Sequence, residues 1–249
     1  MAKRKMPLLK PKRTPIALDE LGGTADGGLA ILDPNENRIH MTPARVAAAL
    51  RYFVARVQLH DDRGLPSRLA LTAALAGEGV TYVTRSLAAV IAYDTEASVA
   101  VIDFNWRRPG PESEERPPGL AEAVENGVAV DDIIQPTSNP RLSLVLPGES
   151  AIARRPALAA SHALGAVLEE LDARFDHLLL DLPPVLASSE AIILSQLADA
   201  YVLVVRQGVT AESQVEAALA ELQSMEALGV ILNRFESHIP KRLRRLVGT

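Results

Sequence analysis

The sequence contains no cysteine and few aromatic residues. The absence of cysteine excludes disulfides and thiolate metal sites, and it fits a reducing compartment. Because only 4% of the 249 residues are aromatic, the core must consist mainly of Ala, Leu, Val and Ile, which favours helices packed on a buried sheet. The five histidines show no spacing typical of metal ligands. We therefore expect no structural metal.

Long apolar segments are also missing. No run approaches the roughly 18 apolar residues that a membrane-spanning helix needs. The basic residues 1–13 are not followed by an apolar stretch long enough for a signal peptide. We therefore expect a cytoplasmic protein, and its 48% hydrophobic composition is sufficient for one large core.

Positive charge is concentrated at the two ends of the chain. Residues 1–13 contain six Lys or Arg and residues 241–245 contain four, whereas the rest of the chain has 16 basic and 31 acidic residues. Basic ends either lie against anionic lipid, at about 1 kcal/mol per charge, or remain solvated, and both interpretations stay open. Nucleic-acid binding is not expected, because the acidic body would be repelled and no aromatic residues accompany the basic ones.

Composition divides the chain into three parts. Residues 1–41 mix Lys, Pro, Gly and Asp without sustained periodicity, which predicts a basic, mostly disordered arm. Residues 42–235 are predicted to form the folded domain, with a helix beginning at Pro43. Residues 236–249 form a basic tail.

Within the domain, short apolar runs alternate with segments of helical length. The runs predict strands at 68–74, 98–103, 142–146, 177–181, 200–205 and 229–233. The segments between them predict helices at 81–92, 157–175, 189–197 and 211–228. Strands that are apolar on both faces and separated by helices indicate an α/β fold with a mainly parallel sheet covered on both faces.

In such a sheet, ligands bind beyond the carboxyl ends of the strands. Gly77 and Gly79 follow the first run and lead into a helix at Thr81, an arrangement that can present backbone N–H groups to phosphate. Asp103 and Asp181 end two further runs, and with the Thr81 hydroxyl they form an oxygen set suited to Mg²⁺. Each pattern also occurs at ordinary turns. The prediction of a phosphate and Mg²⁺ site therefore depends on the order and spacing of the patterns.

Three segments resemble the Walker motifs of one family. Residues 71–81 (LTAALAGEGVT) resemble V-T-S-A-L-P-G-E-G-K-S, residues 101–109 (VIDFNWRRP) resemble L-I-D-A-D-L-R-R-P, and residues 179–186 (LLDLPPVL) resemble I-I-D-T-P-P-V-L. These are the Walker A, A′ and B elements of the bacterial tyrosine kinases, the CpsD/Wzc cytoplasmic-domain family. The resemblance covers about residues 42–235 and implies a P-loop fold of the MinD/ParA type.

The resemblance implies ATP or ADP with Mg²⁺ as cofactor. The matching nucleotide-binding positions are Gly77, Glu78, Gly79, Val80, Thr81 and Asn233, where Asn233 matches an asparagine that contacts adenine. The matching Walker A′ and B positions are Asp103, Asn105, Arg107, Arg108 and Asp181. The positions associated with Mg²⁺ are Thr81, Asp103 and Asp181, and no other metal is implied.

The departures from the family pattern affect catalysis. Val80 stands where the family has the Walker lysine, and Asn105 replaces the second acid of Walker A′. We therefore expect nucleotide binding to weaken and phosphoryl transfer to fail, and we assign no catalytic residue. Arg107 and Arg108 are either substitute charge donors or solvent-facing side chains.

Two further departures concern autophosphorylation and assembly. The four tyrosines are Tyr52, Tyr82, Tyr93 and Tyr201, and none lies in the tail, where the family has its tyrosine cluster. At the family's ring-forming E-x-x-R-x-x-R positions the chain has Ala48, Arg51 and Val54. Ring assembly is therefore not expected, and the oligomeric state stays open.

The family works with membrane polysaccharide co-polymerases. The chain is therefore predicted to be a degenerate regulatory subunit of exopolysaccharide or capsule biosynthesis at the inner face of the bacterial plasma membrane. The first alternative is an active Mg²⁺-dependent ATPase or tyrosine autokinase with a non-standard Walker A. The second is a ParA/MinD-type positioning ATPase, although those proteins have an additional lysine where this chain has Leu75.

Overall fold

The computed structural model describes residues 27–33, 38–60, 64–106, 117–150 and 154–234. The strands are β1 (Leu29–Asp33), β2 (Arg38–Thr42), β3 (Arg68–Ala73), β4 (Val99–Asp103), β5 (Ile134–Pro136), β6 (Leu142–Val145), β7 (His177–Asp181), β8 (Ala200–Arg206) and β9 (Glu226–Asn233). The helices are α1 (Ala44–His60), α2 (Val80–Asp94), α3 (Leu120–Asn126), α4 (Val130–Ile133), α5 (Arg155–Ala159), α6 (His162–Asp172), α7 (Ser189–Ser195) and α8 (Glu212–Glu221). None of the helices in these ranges is long and apolar enough to cross a bilayer.

A seven-stranded sheet forms the centre of the domain. Its order is β5-β6-β4-β7-β3-β8-β9, and all neighbouring strands are parallel except β5 and β6. The predicted α/β fold is confirmed, and all six predicted strands are present. Consecutive residues of one strand point to opposite faces, so a strand buried on both faces must be apolar throughout.

Helices cover the sheet on both faces. One apolar layer combines alternate strand residues such as Ala100 and Ile102 with residues of α3 to α8. The other combines Val99 and Val101 with residues of β1, α1 and α2. Burying each Val or Leu in these layers contributes about 2 kcal/mol to folding.

Two predicted helices differ from the structure. The segment 157–175 is split by Ser161, whose hydroxyl accepts a hydrogen bond from the Leu164 N–H at 3.2 Å and caps α6. The helix predicted at 211–228 ends at Glu221, and residues 226 and 227 pair with β8 as the first part of β9. In the second case strand pairing overrides local helix propensity.

The first two strands correct part of the prediction of a disordered arm at residues 1–41. β1 pairs antiparallel with β2 in a hairpin, with Leu29 opposite Thr42. Leu29 and Ile31 are buried in the layer that contains α1 and α2. Tertiary burial therefore orders a segment whose local pattern is weak. Residues 1–26 lie outside the described residues.

At the α1 positions that match the ring-forming pattern, two side chains, Arg51 and Val54, make contacts within this chain. Val54 is buried in the core. The Arg51 guanidinium donates two hydrogen bonds to the Asp94 carboxylate on α2, at 2.6 and 3.1 Å. Arg51 thus joins α1 to α2 within the chain, and the expectation that no ring forms stays a prediction.

Candidate functional site

The loop between β3 and α2 has the backbone of an anion-binding turn. Gly77 and Gly79 adopt φ angles of 84° and 92°, in the left-handed region that glycine enters without steric cost. Gly79 directly precedes the first turn of α2, a helix of 15 residues. The N–H groups of a first helical turn have no intrahelical partners and attract anions. The loop can therefore still hold a phosphate through its backbone.

Glu78 is turned into the protein. It is 3% exposed, and its carboxylate accepts hydrogen bonds from the Leu75 N–H at 3.3 Å and from the Thr210 hydroxyl. These bonds attach the loop to the segment between β8 and α8. Glu78 therefore maintains the shape of the loop, and Thr210 is a contributor that the sequence patterns did not indicate.

Asn233, at the end of β9, contacts the same loop. Its side-chain amide donates a hydrogen bond to the backbone oxygen of Glu78 at 2.7 Å. A Cβ at Gly79 would collide with the Asn233 amide nitrogen, so this contact requires glycine there. The structure thus places Asn233 at the predicted site, whereas its contact with adenine stays a prediction.

Val80 occupies the first position of α2. Its side chain is partly buried and packs against the apolar layer that contains α1 and β1. It carries no charge, and packing rather than phosphate binding accounts for its position.

Asp103 and Asp181 lie side by side at the ends of β4 and β7, where they are partners in the strand register. Asp103 accepts hydrogen bonds from the backbone and side-chain N–H groups of Asn105, at 2.8 and 3.1 Å. Asn105 therefore supplies hydrogen bonds to the Asp103 carboxylate from within the chain. The structure thus brings Asp103 and Asp181 together, and their role in holding Mg²⁺ stays a prediction.

The environment of Asp181 disfavours the charged form of its carboxyl group. Burial and, to a smaller extent, the nearby charge of Asp103 raise the pKa of Asp181 to about 8. Thr81, Arg85 and Asn105 act in the opposite direction. Neither carboxylate oxygen of Asp181 has a hydrogen-bond partner of normal geometry among the described residues.

These oxygens provide a test of whether Mg²⁺ fits the site. The unpartnered buried oxygens of Asp181, the adjacent Asp103 carboxyl group and the neighbouring Thr81 hydroxyl are hard oxygen donors of the kind that Mg²⁺ prefers. Within the described ranges no three His, Cys, Asp or Glu residues lie close enough together to hold a metal by themselves. The donor set therefore fits an ion that takes its other ligands from phosphate and water.

Arg85 is a charged residue at the site that the motifs did not predict. It lies one helical turn after Thr81 on α2, and its positive charge lowers the pKa of Asp181. A helical i, i+4 relation to Thr81 is a sequence signal that would have indicated it. Arg107 and Arg108 lie outside the described residues.

The known proteins that this sequence resembles are bacterial tyrosine-protein kinases. No family model matches the sequence. The chain is 29% identical over 206 residues to the tyrosine-protein kinase YwqD of Bacillus subtilis, covering 79% of this chain and 85% of YwqD. It is also 29% identical over 160 residues to the tyrosine-protein kinase Ptk of Acinetobacter johnsonii, covering 63% of this chain but 21% of Ptk. The chain thus spans about a fifth of the length of Ptk.

Solved structures agree with these relatives. The BceF tyrosine kinase domain is 27% identical with a TM-score of 0.61, covering 75% of this chain and 74% of that domain. The VpsO kinase domain is 25% identical with a TM-score of 0.66, covering 77% and 96%. The MinD protein of Pyrococcus horikoshii, in complex with Mg-ADP, shares the fold at 17% identity and a TM-score of 0.53, covering 74% and 77%. The family resemblance seen in the motifs is thus confirmed: the chain is similar to bacterial tyrosine kinases and has the P-loop fold that their kinase domains share.

Proposed function

We propose that this chain is a kinase-like regulatory subunit of exopolysaccharide or capsule biosynthesis that does not transfer phosphate. The single observation that carries the proposal is the environment of Val80. At the position of the family's lysine, an aliphatic side chain packs against the core. The site therefore keeps the shape of a nucleotide pocket without the charge that catalysis in this family uses.

The missing lysine has an energetic consequence. A hydrogen bond from a charged group contributes about 1.5 to 3 kcal/mol in the ground state. It contributes more where negative charge develops during transfer. Loss of this bond alone would weaken nucleotide binding by roughly 10- to 150-fold. Phosphoryl transfer would suffer more than binding.

Mg²⁺ remains compatible with the pocket. Thr81 and Asp181 would hold the ion, directly or through water, and Asp103 would support it from the neighbouring strand. A bound Mg²⁺ would neutralise phosphate charge and orient the nucleotide. Without the lysine, the loop N–H groups would be the chain's main remaining contacts to the phosphates of ATP or ADP.

The tyrosines support a role without autophosphorylation. Tyr201 is buried in the core. The Tyr93 hydroxyl donates to the Ala30 oxygen at 3.2 Å, and the Tyr82 ring packs against His40. Tyr52 is the most exposed of the four, at 65%, and it lies on α1 rather than in the tail.

The partner and location follow from the family resemblance. Relatives of this type work with membrane polysaccharide co-polymerases, and we assign the same kind of partner to this chain. Its basic segment 1–13 would place it at the anionic inner face of the membrane. We propose a basic N-terminal segment, a folded domain that begins with β1 and extends to about residue 235, and a basic C-terminal tail as its organisation.

One observation favours a second function, that of an active Mg²⁺-dependent ATPase or autokinase. The unpartnered oxygens of Asp181 are suited to an ion that a purely structural role would not need. In that case another basic group, Arg107 or Arg108, replaces the lysine. A ParA/MinD-type positioning ATPase has less support, because Leu75, at the position of the additional lysine, packs against the core.

Calorimetric titration with Mg·ATP and Mg·ADP tests the proposal on three purified proteins: the natural chain, Val80→Lys and Val80→Leu. We expect little or no binding by the natural chain and by V80L, and binding at least about tenfold tighter by V80K. V80L is the matched control, since it changes the packing of the side chain without adding charge.

Micromolar binding by the natural chain together with Mg²⁺-dependent turnover would contradict the proposal. It would favour the ATPase instead. Failure of both the natural chain and V80K to bind would show that the pocket has lost more than the lysine. That outcome would still support a subunit without nucleotide.

A further inference from the structure

β9 exposes apolar side chains at the edge of the sheet. Val230 and Leu232 are 46% and 52% exposed. In the strand register they lie opposite Leu203 and Val205 of β8, so they point to the same face of the sheet. Leu203 and Val205 are buried in the layer that includes α8. α8 therefore covers this face over β8 and leaves it open over β9.

The helix beside this open face is acidic. α8 has three acidic residues and no basic one, and its acids are exposed: Glu212, Glu216 and Glu221. Val230 and Leu232, together with these three acids, are called the β9 face below. An apolar strip beside acidic side chains suits an occupant that is both apolar and basic.

The residues that follow β9 have this chemistry. Arg234, directly after the strand, has a φ angle of 55°, which lies outside the β region, so Arg234 does not extend the strand. In residues 235–249, Leu243, Leu246 and Val247 have the i, i+3, i+4 spacing of one helix face. Between and before them lie four basic residues: Lys241, Arg242, Arg244 and Arg245.

We propose that residues 240–247 dock on the β9 face of their own chain. Residues 235–239 span at most about 17 Å when extended, and eight helical residues about 12 Å. That reach exceeds the roughly 7 Å between Val230 and Leu232 along the strand. Leu243, Leu246 and Val247 cover the apolar strip while the basic residues face the acids of α8.

The docked segment would lie next to the loop between β3 and α2. Asn233, which holds the backbone of Glu78 at 2.7 Å, ends the strand on which the segment packs. Docking would therefore also stabilise the position of Asn233. This inference concerns a different surface from the proposed nucleotide pocket and does not depend on nucleotide binding.

A disulfide assay on the full chain tests the docking, because the protein has no cysteine of its own. Val230→Cys is combined with Leu246→Cys, and the rate of disulfide formation is measured under mild oxidation by mobility on non-reducing gels. The matched control combines Tyr52→Cys with Leu246→Cys, since Tyr52 is also exposed but lies on α1, on the other face of the sheet. We expect the V230C pair to form an intramolecular disulfide roughly tenfold faster or more.

Charge provides a second readout. Glu212→Lys with Glu216→Lys should slow formation of this disulfide several-fold, and the slowing should disappear at high salt. Glu169→Lys, an exposed position on α6, is the matched control and should leave the rate unchanged.

Three results would overturn the docking. The first is an equal rate for the two cysteine pairs. The second is a disulfide between chains that increases with protein concentration, which would make the β9 face an interface between copies. The third is an equal rate combined with tight binding of the full chain to vesicles of anionic phospholipid, which would assign the tail to lipid.

Discussion

Asp181 has the most demanding environment of the described carboxyl groups. It is fully buried, lies opposite Asp103 in the strand register, and has no partner of normal hydrogen-bond geometry for either oxygen. Burial disfavours the charged form, and the neighbouring carboxylate adds repulsion. In the absence of a cation the group retains its proton up to about pH 8. The environment of Asp181 therefore suits a bound cation, and without one the buried carboxylate lowers the stability of the fold.

The raised pKa determines how stability depends on pH. Between about pH 4 and pH 8 the folded protein holds a proton on Asp181 that the unfolded chain releases, so the free energy of unfolding falls as the pH rises. Asp181→Asn removes this dependence. Without nucleotide or Mg²⁺, we expect D181N to be more stable than the natural chain at pH 8, by on the order of 3 kcal/mol, and equally stable near pH 4. Urea unfolding followed by circular dichroism measures the difference.

Asp131→Asn is the control for this experiment, because Asp131 is an exposed carboxyl group at 65% side-chain exposure. Its removal should change stability by less than about 1 kcal/mol at any pH. A loss of stability in D181N at pH 8 would show instead that the folded protein stabilises the Asp181 carboxylate.

At the scale of elements, the hairpin β1–β2 is attached to α2 by polar contacts. His40 Nε2 and the Ser86 hydroxyl are hydrogen-bonded at 3.0 Å, and Thr42 donates to the same hydroxyl at 3.1 Å. Arg85 lies 3.6 Å from Asp33 of β1. α2 begins directly after the loop that contains Gly77 and Gly79, so the hairpin contacts the helix that borders the candidate site.

His40 makes this attachment sensitive to acid. Burial, and secondarily the charge of Arg85, lowers the pKa of His40 from 6.5 to about 4. The folded state therefore binds fewer protons than the unfolded state between these values, and the stability of the hairpin is lost as the pH falls from about 6.5 to 4. We expect amide-exchange protection of residues 29–33, corrected for intrinsic rates, to drop roughly tenfold or more between pH 7 and pH 5.

His40→Gln keeps a polar side chain without titrating, and its hairpin protection should not change with pH. His177→Gln is the matched control. His177 hydrogen-bonds the Pro66 oxygen at 2.9 Å, and this variant should keep the pH response of the natural chain. The same pH response in H40Q would assign the effect to another group.

The elements also show which parts of the fold local patterns could predict. The strand at residues 99–103 was predictable because a strand buried on both faces is apolar throughout. The hairpin was missed, although two short runs, LAILD and RIHMT, flank the turn-type residues Pro34 to Asn37. Its strands are only five residues long, and their burial comes from α1 and α2 rather than from their own pattern.

At the scale of the whole molecule, the proposed role predicts a phenotype. Deletion of the gene should change the amount or the chain length of the extracellular polysaccharide, because the polymerising partner loses its regulatory subunit. Because that role needs no catalysis, complementation with Asp181→Ala should restore the polymer nearly as well as the natural chain. Polymer yield and size-exclusion profiles measure both effects.

Unchanged polymer after deletion in a producing strain would count against the regulatory subunit. Failure of Asp181→Ala to complement, at normal protein abundance, would favour the ATPase. Protein abundance is therefore measured alongside the polymer.

The sequence by itself determined the fold class, the order of the Walker-like segments and the absence of the lysine, because each depends on residues that are close together in the chain. Only the tertiary structure decided which groups meet. It brought Asp103 beside Asp181, set Asn233 on the loop at Glu78, and left Val230 and Leu232 of β9 exposed. Such contacts depend on the order β4-β7-β3-β8-β9, which arises when distant apolar strands are buried together and which no local pattern encodes.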